Sequence, residues 1–229
     1  MQVATRPVFP TTGFVSSPKS STIARVMVQK QCDGRGATDL ILASASPRRA
    51  AILKKQGIPF KVLPPPRDDA SRPRPNVSPV DFAKYLSLQK AQAVAQALDD
   101  GVVLAGDTVA AVGGDIFGKP SDRDDARRIL TAISGKAHKV ITALTLMDAR
   151  SGRTMTCHDT TIVIMRPLSD AQITEYLDTG AWQGKAGAYG IQDHGDEFVD
   201  RVEGSFTNVV GLGVELLESM LAAWEDGNG

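Results

Sequence analysis

The sequence predicts an α/β fold in which a mixed central sheet is flanked by helices. Two short apolar runs, DLILAS at residues 39–44 and GVVLAGD at 101–107, have the continuous hydrophobicity of strands that are covered on both faces. Segments with helical spacing lie between and after these runs, and such an alternation is typical of α/β proteins. A later pair of strands joined by a tight turn adds antiparallel pairing, which makes the sheet mixed.

A first helix is predicted to begin at Ser46, because a serine N-cap followed by proline marks a helix start. Arg48 and Arg49 then occupy its first turn, where the helix dipole disfavours cations by about 0.3–1 kcal/mol each. A bound phosphate explains this arrangement, since helix N–H groups, serine hydroxyls and guanidinium groups all bind anions. The alternative is one arginine in an ordinary ion pair and the other in solvent.

Two long helices and a hairpin are predicted next. Ser78 and Asp81 mark the start of the first helix, which keeps helical spacing through residues 78–100. The second begins at Asp122 and ends at Gly135. After these, residues 139–168 form two strands around a turn at 151–152, a short helix spans 169–180, and the last third is glycine-rich first and helical last.

The composition argues against several classes of partner. In 229 residues, 26 Lys and Arg balance 26 Asp and Glu, so no overall field favours nucleic acid or a membrane surface. No apolar stretch reaches the roughly 18 residues needed to span a bilayer. No basic stripe carries interleaved aromatic residues for stacking bases. We therefore expect no nucleic-acid or membrane partner, and a polyanion must be met by a local cluster of cations.

Residues 1–36 are predicted to be an extension that precedes one domain at residues 37–229. The first 32 residues contain no acidic residue and are rich in Ser and Thr, which is typical of an organellar transit peptide. Their Pro and Gly residues favour a disordered tail instead. The protein is then expected in the cytoplasm if the extension is a tail, or in a mitochondrion or plastid if it is a transit peptide.

Six motifs occur together in one order along the chain. They are SASPRR, GDTV, GKPSDRDDARRIL, SGKAHKVITAL, GKAGAYGIQ and GSFTNVVGL. They closely resemble the successive motifs of the Maf (septum-formation inhibitor Maf) family of nucleoside triphosphate pyrophosphatases, over residues 40 to 217. The forms RR, DTV and GIQ resemble the branch that acts on dTTP and UTP.

This resemblance implies both a fold and an activity. The fold is expected to be similar to that of inosine triphosphate pyrophosphatases. The activity is hydrolysis between the α and β phosphates, which gives a nucleoside monophosphate and pyrophosphate and removes modified pyrimidine nucleotides from the pool. A divalent metal ion, Mg²⁺ or Mn²⁺, is implied as cofactor, and a homodimer as the assembly.

The resemblance also implies roles for single residues. Asp107 matches the proposed proton acceptor, and a carboxylate at a strand end can activate water directly or hold a metal ion. Because strand ends form the ligand crevice of open α/β sheets, Asp107 is expected near the residues that follow the first strand. The alternatives are helix or turn capping for Asp107 and a solvated helix face for Lys90. The positions implied to contact phosphate are Ser44, Arg49, Lys90 and Lys119.

The implied metal ligands are Asp107 together with Asp68 and Asp69, which fall where the family carries adjacent carboxylates. The segment PPPRDDASRPRP around the latter pair is unusually rich in proline. Asp68 and Asp69 are therefore either metal ligands or loop carboxylates with no role in metal binding.

Base selection is implied for Arg48, Thr108 and Gln192. A glutamine amide carries a donor and an acceptor in one plane, which suits the imide edge of a pyrimidine. Lys185 lies in the same glycine-rich motif as Gln192 and is expected to assist.

The three histidines, His138, His158 and His194, lack the spacing of a transition-metal site and are expected to be structural or exposed. An alternative function for the whole protein is a non-catalytic, nucleotide-binding regulator of cell division. Asp107 favours catalysis, because a protein that only binds gains nothing from a carboxylate near phosphate oxygens unless a metal ion lies between them.

Overall fold

A mixed sheet forms the centre of the computed structural model, which describes residues 40–66, 76–193 and 196–226. The strand order in this part of the chain is β2-β1-β3-β5-β6-β7, with β4 also paired to β3. β1 is parallel to β2 and β3, and the other pairs are antiparallel, so the predicted mixed sheet is confirmed. The strands are β1 (Leu40–Ala43), β2 (Lys61–Val62), β3 (Val102–Val112), β4 (Asp115–Phe117), β5 (Ala137–Asp148), β6 (Thr154–Met165) and β7 (Val199–Glu203).

Helices cover both faces of this sheet. Ser78 caps its helix by accepting from the Asp81 N–H, as predicted, whereas the Ser46 side chain caps no backbone N–H. No helix in the described ranges is both long and apolar enough to cross a membrane. The helices are α1 (Pro47–Lys55), α2 (Pro79–Ala95), α3 (Arg123–Ile133), α4 (Asp170–Asp178), α5 (Phe206–Val210) and α6 (Val214–Asp226).

β1 is buried on both faces, as its continuous hydrophobicity predicted. Leu40 and Leu42 belong to the main core with α1, α3, α4 and α6, whereas Ile41 and Ala43 pack under α2. The alternation follows from the two-residue period of a strand. Burial of one large aliphatic side chain stabilises the fold by about 1.5–3 kcal/mol, so both layers fix the position of the strand.

β3 extends beyond the end of β1 and leaves a gap in the sheet. On one edge of β3, β1 pairs with residues 102–105 and β4 pairs with residues 110–112, while β5 occupies the other edge. Among the described strands, none pairs with residues 106–109 on the β1 side. The prediction that the second strand ends at Asp107 is wrong, because pairing with β5 and the β4 hairpin carry β3 on to Val112.

Candidate active site

A cleft of about 320 Å³ opens where β3 has its gap. One side is formed by the start of α1 and by residues 209–211 at the end of α5. Asp107 and Thr108 of β3 line it, together with Lys90 of α2 and Lys119 after β4. The remaining side is the segment 183–193, which we call the loop wall. The structure thus brings together side chains from elements that are distant in sequence.

Asp107 lies on the face of β3 that packs against α2. Lys90 Nζ donates to Asp107 Oδ1 at 2.6 Å, and both residues are buried. Lys90 lies on the same buried stripe of α2 as Leu86 and Val94, one helical turn from each. The alternative of a solvated Lys90 is therefore wrong. Removing one partner of such a buried pair costs about 3–5 kcal/mol, because the other charge stays buried.

Thr108 points to the opposite face of the sheet, toward α1 and α5, because successive strand side chains alternate. There the buried Arg49 donates to three uncharged acceptors: Gly211 O at 2.8 Å, Ser44 Oγ at 3.0 Å and Thr108 Oγ1 at 3.1 Å. Arg49 consequently ties the end of β1, the middle of β3 and the end of α5 to one another.

The hydrogen-bond direction at Thr108 is set by its neighbours. Thr142 Oγ1 donates to Asn208 O at 2.8 Å. In the 2.9 Å contact between the Thr108 and Thr142 hydroxyls, Thr108 must therefore be the donor. Since Thr108 also accepts from Arg49, it offers a ligand a lone pair and no proton.

Arg48 connects α1 to the loop wall. This half-buried residue lines the cleft and donates from its guanidinium group to Gly184 O at 3.0 Å. A carbonyl does not neutralise a guanidinium charge, so Arg48 keeps a positive charge at the cleft. The first turn of α1 carries no acidic residue. The helix dipole and Arg48 together make this side of the cleft favourable for an anion.

An ion pair joins two residues within the loop wall. Lys185 Nζ donates to Asp193 Oδ2, and the lysine side chain is 10% exposed against 45% for the aspartate. The pair crosses Gly190, where a Cβ would lie 2.7 Å from both charged atoms. Gln192 lies next to this pair, is exposed and lines the cleft.

Tyr189 of the loop wall is held from behind by His138. The Tyr189 Oη and His138 Nε2 atoms lie 2.9 Å apart, and both side chains are buried. Burial lowers the pKa of His138 to about 4 and raises the pKa of Tyr189. Both side chains are therefore neutral at pH 7. His138 is thus structural, as predicted, and His158 is half-buried, whereas His194 lies outside the described residues.

Most of the predicted site residues lie at the cleft. Ser44 is connected to the cleft through Arg49, whereas Asp68 and Asp69 lie outside the described residues. The sequence analysis missed Tyr189 and Asp193. The available signal for the Lys185–Asp193 pair was the acidic side chain of Asp193, which lies eight residues after Lys185. The predicted residues that line the cleft are Arg48, Arg49, Lys90, Asp107, Thr108, Lys119, Lys185 and Gln192.

The described residues supply few protein ligands for a metal ion. Within residues 40–66, 76–193 and 196–226, no group of three or more His, Cys, Asp or Glu side chains is placed to hold one. Among the residues that the structure describes, the carboxylates that line the cleft are Asp107 and Asp193, each bound to a lysine. Because Mg²⁺ commonly takes one or two carboxylates, substrate phosphates and waters, this donor set fits an ion shared with a triphosphate.

Comparisons with a family model and with known proteins agree on one family. A family model described as "Maf-like protein" matches residues 39–224. A protein of Salinibacter ruber named dTTP/UTP pyrophosphatase is 43% identical over 80% of this chain and 90% of its own length. Relatives of the same name from Bdellovibrio bacteriovorus and Carboxydothermus hydrogenoformans are each 41% identical, over 80% and 81% of this chain and 97% and 98% of their own.

A solved structure of a dITP/XTP pyrophosphatase from Mycobacterium abscessus is similar to a lesser degree. It is 12% identical with a TM-score of 0.35, over 57% of this chain and 75% of that chain. A similarity this low carries no conclusion about the present protein.

Proposed function

The chain belongs to the family of Maf-like proteins, and from this membership and the charges of the cleft we propose that it hydrolyses dTTP and UTP. Relatives at 41–43% identity are named dTTP/UTP pyrophosphatase, which supports the coarser activity of a nucleoside triphosphate pyrophosphatase. The observation that carries the proposal is the buried Asp107–Lys90 pair at a cleft otherwise rich in cations. It places one carboxylate where a polyanion is attracted.

In this proposal Asp107 takes the proton of the attacking water. Lys90 holds Oδ1 and so fixes the carboxylate, while Oδ2 accepts the proton. The water oxygen bonds to the α-phosphorus as the bond from that phosphorus to the bridging oxygen breaks, and pyrophosphate leaves with the electron pair. General-base assistance of this kind contributes about 10²–10⁴ in rate.

The triphosphate is bound by cations and by the start of α1. Arg48 and the helix dipole supply positive charge on one side, and Lys119 adds a further cation. Hydrogen bonds to Gly211 O, Ser44 Oγ and Thr108 Oγ1 hold the Arg49 guanidinium group in place at the cleft. The predicted phosphate contacts remain Ser44, Arg49, Lys90 and Lys119.

A divalent metal ion, Mg²⁺ or Mn²⁺, is part of the proposal. When bound, such an ion would supply positive charge that offsets the negative charge developing on the leaving group. Asp107 is the described carboxylate predicted to hold it, since Asp193 lies on the loop wall and is bound to Lys185; Oδ2 of Asp107 would bind the ion as the alternative to taking the proton. Asp68 and Asp69 remain predicted ligands.

We assign base selection to Arg48, Thr108 and Gln192, as predicted. Gln192 is exposed at the cleft and offers both hydrogen-bond polarities, whereas Thr108 offers an acceptor alone. The proposal includes the removal of modified pyrimidine nucleotides by a homodimer. It places the protein in the cytoplasm, or in an organelle if residues 1–36 are a transit peptide.

Pyrophosphate release tests this proposal directly. The purified protein is assayed with Mg²⁺ or Mn²⁺ against canonical and modified nucleoside triphosphates, and a chelator serves as the metal-free control. We expect release to be fastest with dTTP and UTP and to stop with the chelator. Absence of release from folded protein that still binds nucleotide would overturn the catalytic proposal and favour the nucleotide-binding regulator.

A further inference from the structure

The charges around the cleft are distributed unevenly. Outside the loop wall, the described side chains that line the cleft include the Lys90–Asp107 pair and Arg48, whose guanidinium group donates to a carbonyl beside the positive end of α1. The loop wall contains one basic and one acidic residue, Lys185 and Asp193, and these two pair with each other. The loop wall is therefore neutral although it contains a buried lysine.

The Lys185–Asp193 pair depends on close approach across Gly190. A Cβ at position 190 would lie 2.7 Å from Asp193 Oδ2 and from Lys185 Nζ, so any side chain there would displace the pair. The Asp193 side chain is 45% exposed, and an asparagine at this position keeps an oxygen that can accept from Lys185. We therefore expect Asp193→Asn to keep the fold, as circular dichroism and Tm can verify.

We propose that Asp193, by neutralising Lys185, determines the direction in which a nucleoside triphosphate lies in the cleft. This inference rests on the proposed function. With Asp193 present, Arg48 and the N-terminal end of α1 attract the triphosphate to their side of the cleft. The uncharged base then lies against the neutral loop wall, beside Gln192.

Without Asp193, Lys185 becomes a cation at the side that receives the base. A polyphosphate is then attracted to both sides of the cleft, because each unpaired charge acts over several ångströms on a highly charged anion. Some nucleotide molecules would bind in the reverse direction. In these the base is away from Gln192 and the α-phosphorus is away from Asp107, so they are not hydrolysed.

Inorganic triphosphate is the probe that separates polyanion binding from base recognition. Its dissociation constant is measured by calorimetry on the full chain in metal-free buffer, for the wild type and for Asp193→Asn. The amide keeps the shape of the carboxylate but removes its charge. We expect Asp193→Asn to bind inorganic triphosphate about tenfold more tightly, because Lys185 is no longer neutralised.

Two control variants separate this effect from net charge and from shape. Asp193→Glu keeps the negative charge and is expected to bind inorganic triphosphate as the wild type does. Asp100→Asn removes the same charge from an exposed pair with Arg150 at 3.0 Å, in residues that do not line the cleft. We expect its dissociation constant to stay within about twofold of the wild type.

Kinetics with UTP provide a second measurement that a purely structural role would not reproduce. Non-productive binding lowers kcat and KM by the same factor and leaves kcat/KM unchanged. We expect this pattern for Asp193→Asn. A variant that had only misplaced Gln192 or Lys185 would instead show a lower kcat/KM.

The affinity ratio decides the proposal even if hydrolysis fails. Unchanged or weaker binding of inorganic triphosphate by Asp193→Asn would overturn it, since Asp193 would then not keep polyanions from the loop wall. Tighter binding that Asp100→Asn reproduces would overturn it as well, because net charge alone would explain it. A wild type that releases no pyrophosphate refutes the proposed function, whereas the ratio of dissociation constants still tests Asp193.

Discussion

Asp107 and Thr108 are neighbours in β3, and their side chains point to opposite faces of the sheet. Asp107 meets Lys90 under α2, whereas Thr108 meets Arg49 beneath α1. The cleft reaches both because no described strand pairs with this part of β3 on the β1 side. A two-residue segment thus supplies the proposed base and an acceptor in the network that holds α5.

We expect Asp107→Asn to lower kcat with UTP by about 10²–10⁴, because the amide cannot take the proton from water. Asn keeps an oxygen that accepts from Lys90, so the fold is expected to persist, as circular dichroism and Tm can verify. Asp178→Asn, in an exposed pair with Arg123, is the matched control and should retain full activity. Near-normal turnover of Asp107→Asn with metal present would remove Asp107 from the mechanism.

Gln192→Glu is expected to weaken kcat/KM for UTP and dTTP relative to ATP and GTP by about tenfold or more. The substitution removes an N–H donor and places a negative charge near the carbonyl oxygens of uracil and thymine. Gln183→Glu adds the same charge at the other end of the loop wall and serves as the control. A nucleotide preference that does not change would contradict the assignment of Gln192.

His138 is expected to make stability depend on pH. Its pKa is lowered from 6.5 to about 4 by burial, so below pH 6.5 the unfolded chain binds a proton that the folded protein does not. Its contribution to the free energy of unfolding is complete above pH 6.5. As the pH falls toward 4, up to about 3 kcal/mol is lost.

Denaturant unfolding at pH 7 and pH 4.5 measures this effect in the wild type and in His138→Gln. The glutamine does not titrate but can still bond to Tyr189. Carboxylates contribute to both proteins alike, so we expect a smaller loss of stability at low pH in the variant. Equal losses in the two proteins would refute this role for His138.

At the scale of elements, length and periodicity decide what the sequence predicts. The strands β1, β5 and β6 and the helices α2, α3 and α4 were predicted because each has a clear period or cap. The short strands β2, β4 and β7 were not, because two to five residues carry too little pattern and depend on a neighbouring strand. The continuation of β3 past Asp107 was missed for the same reason.

The candidate site divides in a similar way. The motifs predicted site residues in α1, β3 and the loop wall. They did not predict the two ion pairs, because Lys90–Asp107 requires α2 to pack on β3 and Lys185–Asp193 requires the loop wall to fold back on itself. The buried position of Lys90 had one sequence signal, since it lies four residues from Leu86 and from Val94 on α2. Pairing itself requires the three-dimensional structure.

α5 is a helix of five residues whose position depends on Asn208. The fully buried side chain donates to Val140 O and to Thr161 Oγ1, each at 3.0 Å. We expect Asn208→Ala to lower the free energy of unfolding by about 2–3 kcal/mol, because a buried carbonyl loses its donor.

The same substitution should raise KM, since Gly211 at the end of α5 accepts from Arg49. Denaturant unfolding and UTP kinetics measure the two effects. Ser205→Ala, which removes the N-cap of α5 and leaves the buried bonds intact, should cost about 1 kcal/mol. Equal stability of the wild type and Asn208→Ala would show that other contacts hold α5.

At the scale of the whole molecule, the described site residues all lie at position 44 or later. We therefore expect removal of residues 1–36 to leave kcat/KM for UTP and the Tm unchanged within error. Kinetics and thermal unfolding of the full and shortened chains test this expectation. A loss of activity would show that the extension contributes to the site, and the predicted boundary at residue 37 would be wrong.

The gap in the edge of β3 also affects how the protein resists association. An unpaired strand edge invites a foreign peptide to add as a further strand, which is a common route to aggregation. Here the open edge spans four residues, 106–109, about 13 Å at the rise of a strand. Because β1 and β4 block it at either end, no added strand can extend beyond it. The opening is therefore suited to a small molecule, and it limits an added strand to about four residues.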